Sequence, residues 1–125
     1  MAFKLKTSKK SEDIFSRIEA SENLPFYITV KLAIAMSLRS NIPLNEKDFN
    51  TNTLGRELNR QTITGDSDAI YKCIMELYSG KHLTDDEFFP TYVKAHIDRG
   101  AIMLDSEQKY GDEFLIHLTE LEKGL

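Results

Sequence analysis

"FKLKTSKKSEDIFSRI", Phe3 to Ile18, decides the fold. Its opening alternates apolar and basic residues in strand period, so that Phe3 and Leu5 share one face and Lys4 and Lys6 the other. The alternation stops at two hydroxyl residues. Beyond them Ile14, Phe15 and Ile18 fall on a single helical face. Ser8 or Ser11 supplies the N-cap, and Glu12 and Asp13 complement the positive end of that helix. "ASENLP", Ala20 to Pro25, closes it, because Asn23 and Pro25 interrupt the pattern.

Pro25 suits the first turn of a second helix, "FYITVKLAIAMSLR", which runs from Phe26 through Arg39. This helix is apolar on nearly every side and must be surrounded; a small chain covers it incompletely, which points to a subunit interface. Strand, short helix, tight turn and apolar helix, in that order over residues 1–39, are the pattern of a ribbon-helix-helix unit. In that architecture two chains pair their strands: Phe3 and Leu5 seal the dimer while Lys4 and Lys6 face nucleic acid. The start of the second helix, Leu24 to Tyr27, then offers backbone N–H groups to a phosphate. A blander reading has the strand lysines guarding an exposed edge against aggregation.

The expected class is all-α, with this unit followed by further helices in an oligomeric subunit. Residues 40–66 read as a polar loop, with at most a short helical piece from Leu54 to Leu58. Residues 67–104 read as helical. Asp66 or Ser67 caps a helix with Ile70, Cys73, Ile74, Leu77 and Tyr78 on one apolar stripe, ending at Gly80. "TDDE", Thr84 to Glu87, has capping-box spacing, and Pro90 separates a short turn from a longer helix beginning near Thr91. Gly100 lies within that helix at a cost of ~1 kcal/mol relative to alanine, which implies close packing against it. Residues 105–125 hold a weaker amphipathic helix with Phe114, Leu118 and Leu121.

A length of 125 residues suits one domain, and 41% hydrophobic content is that of a folded chain. No apolar run approaches the ~20 residues of a membrane span, and no secretory leader is legible, so a cytoplasmic location without membrane attachment is expected. Cys73 is the single cysteine, which excludes an internal disulfide; on an apolar helical stripe it reads as inert packing. Net charge is −4, unevenly spread: residues 1–60 carry +3 and residues 61–125 carry −7. A basic front end can therefore attract phosphate within an acidic chain.

Catalytic signatures are missing. His82, His96 and His117 are too dispersed for a metal site, and no phosphate loop, nucleophile elbow or zinc-protease motif occurs, so no metal or cofactor is expected. A nickase built on Asp66, Asp68 or His96 would lack a recognisable acid–base or metal constellation. "GRELNRQTITGDSDAIY", Gly55 to Tyr71, instead crowds charged and hydroxyl residues together, either as a loop bonded internally through Glu57, Arg60 and Asp66 or as a docking face.

That block, with "KLKTSKKSEDIFSRI", "VKLAIAMSLR" and "HIDRGAIML" (His96 to Leu104), resembles the DndE family of bacterial DNA phosphorothioation systems, over Phe3 to about Leu104. The resemblance implies a component whose enzymatic activity is unproven, acting beside a cysteine desulfurase, an iron–sulfur protein and an ATPase. It implies a homotetramer that binds double-stranded DNA, nicked duplex preferentially, through surface lysines. Carried onto this chain, the DNA contacts are Lys4, Lys6, Lys9 and Lys10, with Arg17 and Lys31 widening the face. Arg56, Glu57, Asn59 and Arg60 are either structural or the docking surface for other modification proteins. The alternative class is a ribbon-helix-helix repressor or antitoxin, against which the long polar loop and the additional helices count.

Overall fold

The computed structural model of the protein describes residues 3–110 and 114–120; Leu121 and the side chain of His117, both named above, fall outside it. The chain is mostly helical, with one short two-stranded sheet. Strand β1 is Lys4–Lys6 and helix α1 is Lys9–Glu22. Ser8, rather than Ser11, is the N-cap and accepts from the Ser11 N–H at 3.1 Å. Asn23 ends the helix in the left-handed region at φ 54°, a conformation its short polar side chain tolerates. Helix α2, Phe26–Arg39, has the expected bounds. Strand, helix and helix therefore follow in the predicted order.

Two differences arise in the middle of the chain. The stretch 40–66 is not only loop: it carries the one-turn helix α3, Glu46–Phe49, strand β2, Glu57–Asn59, and the one-turn helix α4, Arg60–Ile63. No helix covers Leu54 to Leu58. Strand β1 pairs antiparallel with β2 of the same chain, Leu5 opposite Leu58 and Lys6 opposite Glu57. Leu5 is accordingly buried by its own chain, whereas Phe3 stands 61% exposed, so the two do not form a common seal. Gly55 completes the approach: its N–H donates to the Thr7 carbonyl at 2.9 Å, and a Cβ there would lie 2.3 Å from the Ser8 carbonyl oxygen.

Helix α5, Asp68–Ser79, corrects a second expectation. Reading Cys73 as packing implies a covered stripe, yet only Met75 is buried, while Ile70, Ile74 and Leu77 are exposed, Leu77 at 79%. Cys73 is exposed as well and is not packing.

Pro90 does not break the chain's longest helical path. Helix α6, Asp85–Glu87, begins with the expected capping box: the Thr84 side chain accepts from the Glu87 N–H, and the Glu87 carboxylate accepts from the Thr84 N–H. That backbone bond, with Lys81 beside it, lowers the Glu87 carboxyl to about 2. A wide π-type turn, Phe88–Val93, then leads directly into helix α7, Lys94–Tyr110. The wider turn accommodates both the proline ring and its missing N–H. A last helix, α8, spans Phe114–Glu120.

Helices α2 and α7 form the centre, with the most extensive contact of any pair of elements. Gly100 permits it, since a Cβ at that position would sit 1.8 Å from the Ala33 carbonyl oxygen. Phe15, Ile18, Phe88, Phe89, Ile97 and Leu104 fill the core around this crossing.

Candidate nucleic-acid interface

The basic residues of the front end are differently employed. Lys4 and Lys6 project from the exposed face of β1, and Lys4 lies 3.7 Å from Glu57 on β2. Lys6 and Lys10 are exposed and form no ion pair among the described residues. Lys9 is bound to its own helix, 2.9 Å from Glu12 and 3.3 Å from Asp13, and these carboxylates raise its ammonium above the ordinary range. Arg17 pairs with Asp105 of α7; burial tends to raise that carboxyl, and the bonds from Lys109 and Arg17 prevail and lower it. Lys31 lies 5.6 Å above the Tyr27 ring, in the groove between α2 and α5. The chain thus keeps Lys6 and Lys10 most available, with Lys4 in a long contact to Glu57, and ties the exposed Arg17 to Asp105.

Helix N-termini divide in the same way. That of α1 is already occupied by an internal carboxylate: Asp98, almost wholly buried on α7, accepts from the Ser8 N–H at 3.1 Å and the Ser11 hydroxyl at 2.6 Å. Its other oxygen takes Lys94 at 2.6 Å and the Thr51 hydroxyl at 2.5 Å. This role of Asp98 was missed in the sequence, where only the i, i+4 spacing from Lys94 signals it. The N-terminus of α2 has no side-chain cap, because Pro25 occupies the N-cap position. Among the described residues the N–H groups of Phe26 and Tyr27 have no acceptor. Arg56 stands beside them, its guanidinium 3.9 Å above the Phe26 ring.

The loop block proves partly structural. Arg60 grips Asp68 with two bonds of 2.9 and 2.7 Å, and Asp85 with two of 3.1 and 2.9 Å. The fork geometry of guanidinium matches both carboxylates, and it holds the Asp68 carboxyl below its usual range against the opposing effect of burial. Asp68 also accepts from the Thr64 hydroxyl at 2.5 Å. Asn59 caps α4 through the Gln61 N–H at 2.9 Å. Arg56 and Glu57 remain exposed.

His96 is fully buried and belongs to a separate network. Its Nδ1 lies 2.7 Å from the Ser37 hydroxyl, which accepts from Arg99 Nε at 2.9 Å. Arg99 also donates to the Ser37 and Ile42 carbonyls and to the Tyr78 hydroxyl. Burial, with Arg99 nearby, pushes the His96 imidazole down to about 4. The serine–histidine pair is closed to substrate and ties the end of α2 to α7. Among the described residues no group of His, Cys, Asp and Glu could hold a metal, and no helix is long and apolar enough to cross a membrane.

A family model described as DNA sulphur modification protein DndE matches residues 4–112, past the Leu104 limit of the resemblance. Among solved structures, the chain is similar to DndE from Escherichia coli B7A, a protein involved in DNA phosphorothioation modification. That likeness has a TM-score of 0.65 at 16% identity, over 81% of this chain and 96% of that one. It is equally similar to a DndE mutant involved in DNA phosphorothioation, with a TM-score of 0.65 at 15% identity over 82% and 97% of the two chains. No curated protein sequence matches it.

Proposed function

The chain belongs to the DndE family of DNA sulphur modification proteins, and we propose that it is a non-catalytic, DNA-binding component of the phosphorothioation machinery. It binds duplex DNA, nicked duplex preferentially, in the cytoplasm, and docks the iron–sulfur and ATPase components of the same system. The observation that supports DNA contact best is the availability of Lys6 and Lys10 beside Lys4, at the front of a chain whose other half is acidic. The uncapped start of α2, with Arg56 beside it, suits a neighbouring phosphate. Lys9 contributes to the same end of the molecule. Arg17 and Lys31 are secondary, since each is engaged elsewhere. Arg56, Glu57 and Asn59 are the exposed part of the loop block and suit docking; Arg60 holds that block in shape.

Self-association completes the reading. The exposed residues of α5 adjoin a groove of about 320 Å³ against Lys31, Ala35 and Leu38 of α2, the helix that was expected to need covering. A second copy of the chain is the occupant we assign, in a homotetramer. Four basic front ends on one assembly then concentrate the charge that a single subunit lacks.

The test is fluorescence anisotropy of nicked and intact duplex of one sequence across a salt series. Log K falls with log salt by about 0.9 per phosphate neutralised, and changing Lys4, Lys6, Lys9 and Lys10 to Ala makes that slope shallower. No binding by the native chain, or an unchanged slope in the variant, overturns the assignment. Binding that follows sequence rather than the nick would favour a repressor.

A further inference from the structure

Phe3 is the front-end residue that the fold leaves unexplained. A lone exposed phenylalanine is ordinary on a protein surface. This one is anchored: its carbonyl accepts from the Arg60 N–H at 2.7 Å, and Arg60 is itself fixed by Asp68 and Asp85. The ring therefore stands on a braced strand end rather than on a loose one. It shares a concavity of about 240 Å³ with Asn59, Gln61 and Gly65 and with the Arg60–Asp68 ion pair, in which the guanidinium offsets the carboxylate. Asn59 uses its carbonyl oxygen on the Gln61 N–H, which leaves its NH2 group unbonded, and the Gln61 carboxamide has no partner among the described residues. Lys4 follows Phe3 directly and Lys6 stands two residues further along the exposed face of β1. A planar apolar ring beside two unspent amides is the chemistry that takes a nucleobase: the ring on its face, the amides at its edge.

We propose that Phe3 is a stacking platform for a nucleobase face exposed at a nick or strand end. Asn59 and Gln61 lie at the edge of that base. The inference rests on the DNA-binding reading above and supplies what that reading lacks, a means of telling nicked from intact duplex. Phosphates are present in both, so lysines alone give no preference. In an intact duplex every internal base face is covered by its neighbours. At a nick the two flanking pairs can part, and the exposed ring of Phe3 covers the face that opens.

The experiment compares native chain, F3A and F3W on nicked and intact duplexes of one sequence, with helicity checked by circular dichroism. The chain contains no tryptophan, so F3W carries a single one, which is excited apart from the tyrosines at longer wavelength. Stacking on one base is worth roughly ten- to a hundred-fold in affinity. F3A should lose that factor on nicked duplex and bind intact duplex as the native chain does. F3W should keep the preference, and its emission should be quenched by nicked duplex more than by intact. If the native chain prefers nicked duplex and F3A retains the full preference, the platform is overturned while DNA binding stands. Equal quenching of F3W by both duplexes also overturns it. If the native chain binds neither duplex, the DNA-binding reading falls and takes the platform with it.

Discussion

Gly100 and His96 show how far single residues control this molecule. At Gly100 an added Cβ would sit 1.8 Å from a backbone oxygen of α2, which cannot move aside as a side chain would. Gly100→Ala should therefore lose about 1–3 kcal/mol through overpacking, despite the better helix propensity of alanine. Gly80 provides the contrast: it has open space around it and a φ of +76°, so Gly80→Ala should cost only about 1 kcal/mol, from backbone strain alone. Urea unfolding of the two variants decides the order, and equal losses would mean that α2 and α7 are not in such close contact. His96 carries the pH dependence. Its imidazole is held near 4 in the fold against an ordinary value of 6.5, so the unfolded chain binds the extra proton between those values. Stability is then complete above pH 6.5 and is lost as pH falls toward 4, by about 3 kcal/mol in all. Most carboxylates remain ionised between pH 6.5 and 5, and that window isolates the histidine. Urea midpoints at pH 7 and 5 should differ in the native chain and converge in His96→Gln.

At the scale of elements, the molecule depends on clamps between distant segments, and Arg60 is the clearest. It joins α4 to the first turns of both α5 and α6 through Asp68 and Asp85. Removing it takes the guanidinium away from two partly buried carboxylates. Arg60→Ala should cost about 2 kcal/mol, less than a fully buried pair because both aspartates retain contact with water. Arg60→Lys preserves the charge but not the fork and should recover less than half of that loss. Hydrogen exchange would show the weakening in α4 and the start of α5 before it appears in α2. These clamps also mark the limit of what the sequence makes legible. Local signals are readable where local chemistry decides: Ser8 and Asn23 bound α1, and Thr84 with Glu87 opens α6. Strand β2 is invisible to periodicity, since "ELN" has one apolar residue and gains its partner from more than fifty residues away. Pro90 reads as a break because the rule assumes an α turn, whereas the chain widens to a π turn. Asp85 as an acceptor of Arg60, and Ser8, Ser11 and Thr51 as donors to Asp98, lie too far off in sequence for any spacing to predict; only Lys94, four residues before Asp98, is within reach of one.

Across the whole molecule the most informative mismatch is α5. Its amphipathic pattern is genuine, but a pattern identifies a face without identifying what covers it. In the single chain Ile70, Ile74 and Leu77 meet solvent, and Ile70 and Ile74 line a groove with Ala35 and Leu38 of α2. The neighbouring charges are of both signs, Lys31 and Lys72 with Glu76, so a second copy brings no uniform repulsion to this face. Covering those side chains would remove apolar area worth roughly 25 cal/mol per Å², the driving force of the proposed association. The expected outcome is specific. Native chain should elute as an oligomer whose mass, by light scattering, approaches four subunits, while Ile74→Asp combined with Leu77→Asp should shift it toward smaller species. Both positions are exposed in the single chain, so circular dichroism and the urea midpoint of the isolated subunit should change little. If the variant retains the native mass, another surface holds the assembly and α5 is left for a different protein. If the variant dissociates, its salt slope for DNA binding should also become shallower, because fewer front ends then reach one duplex at a time. Loss of mass without loss of slope would separate assembly from DNA contact and would place the whole binding site within one subunit.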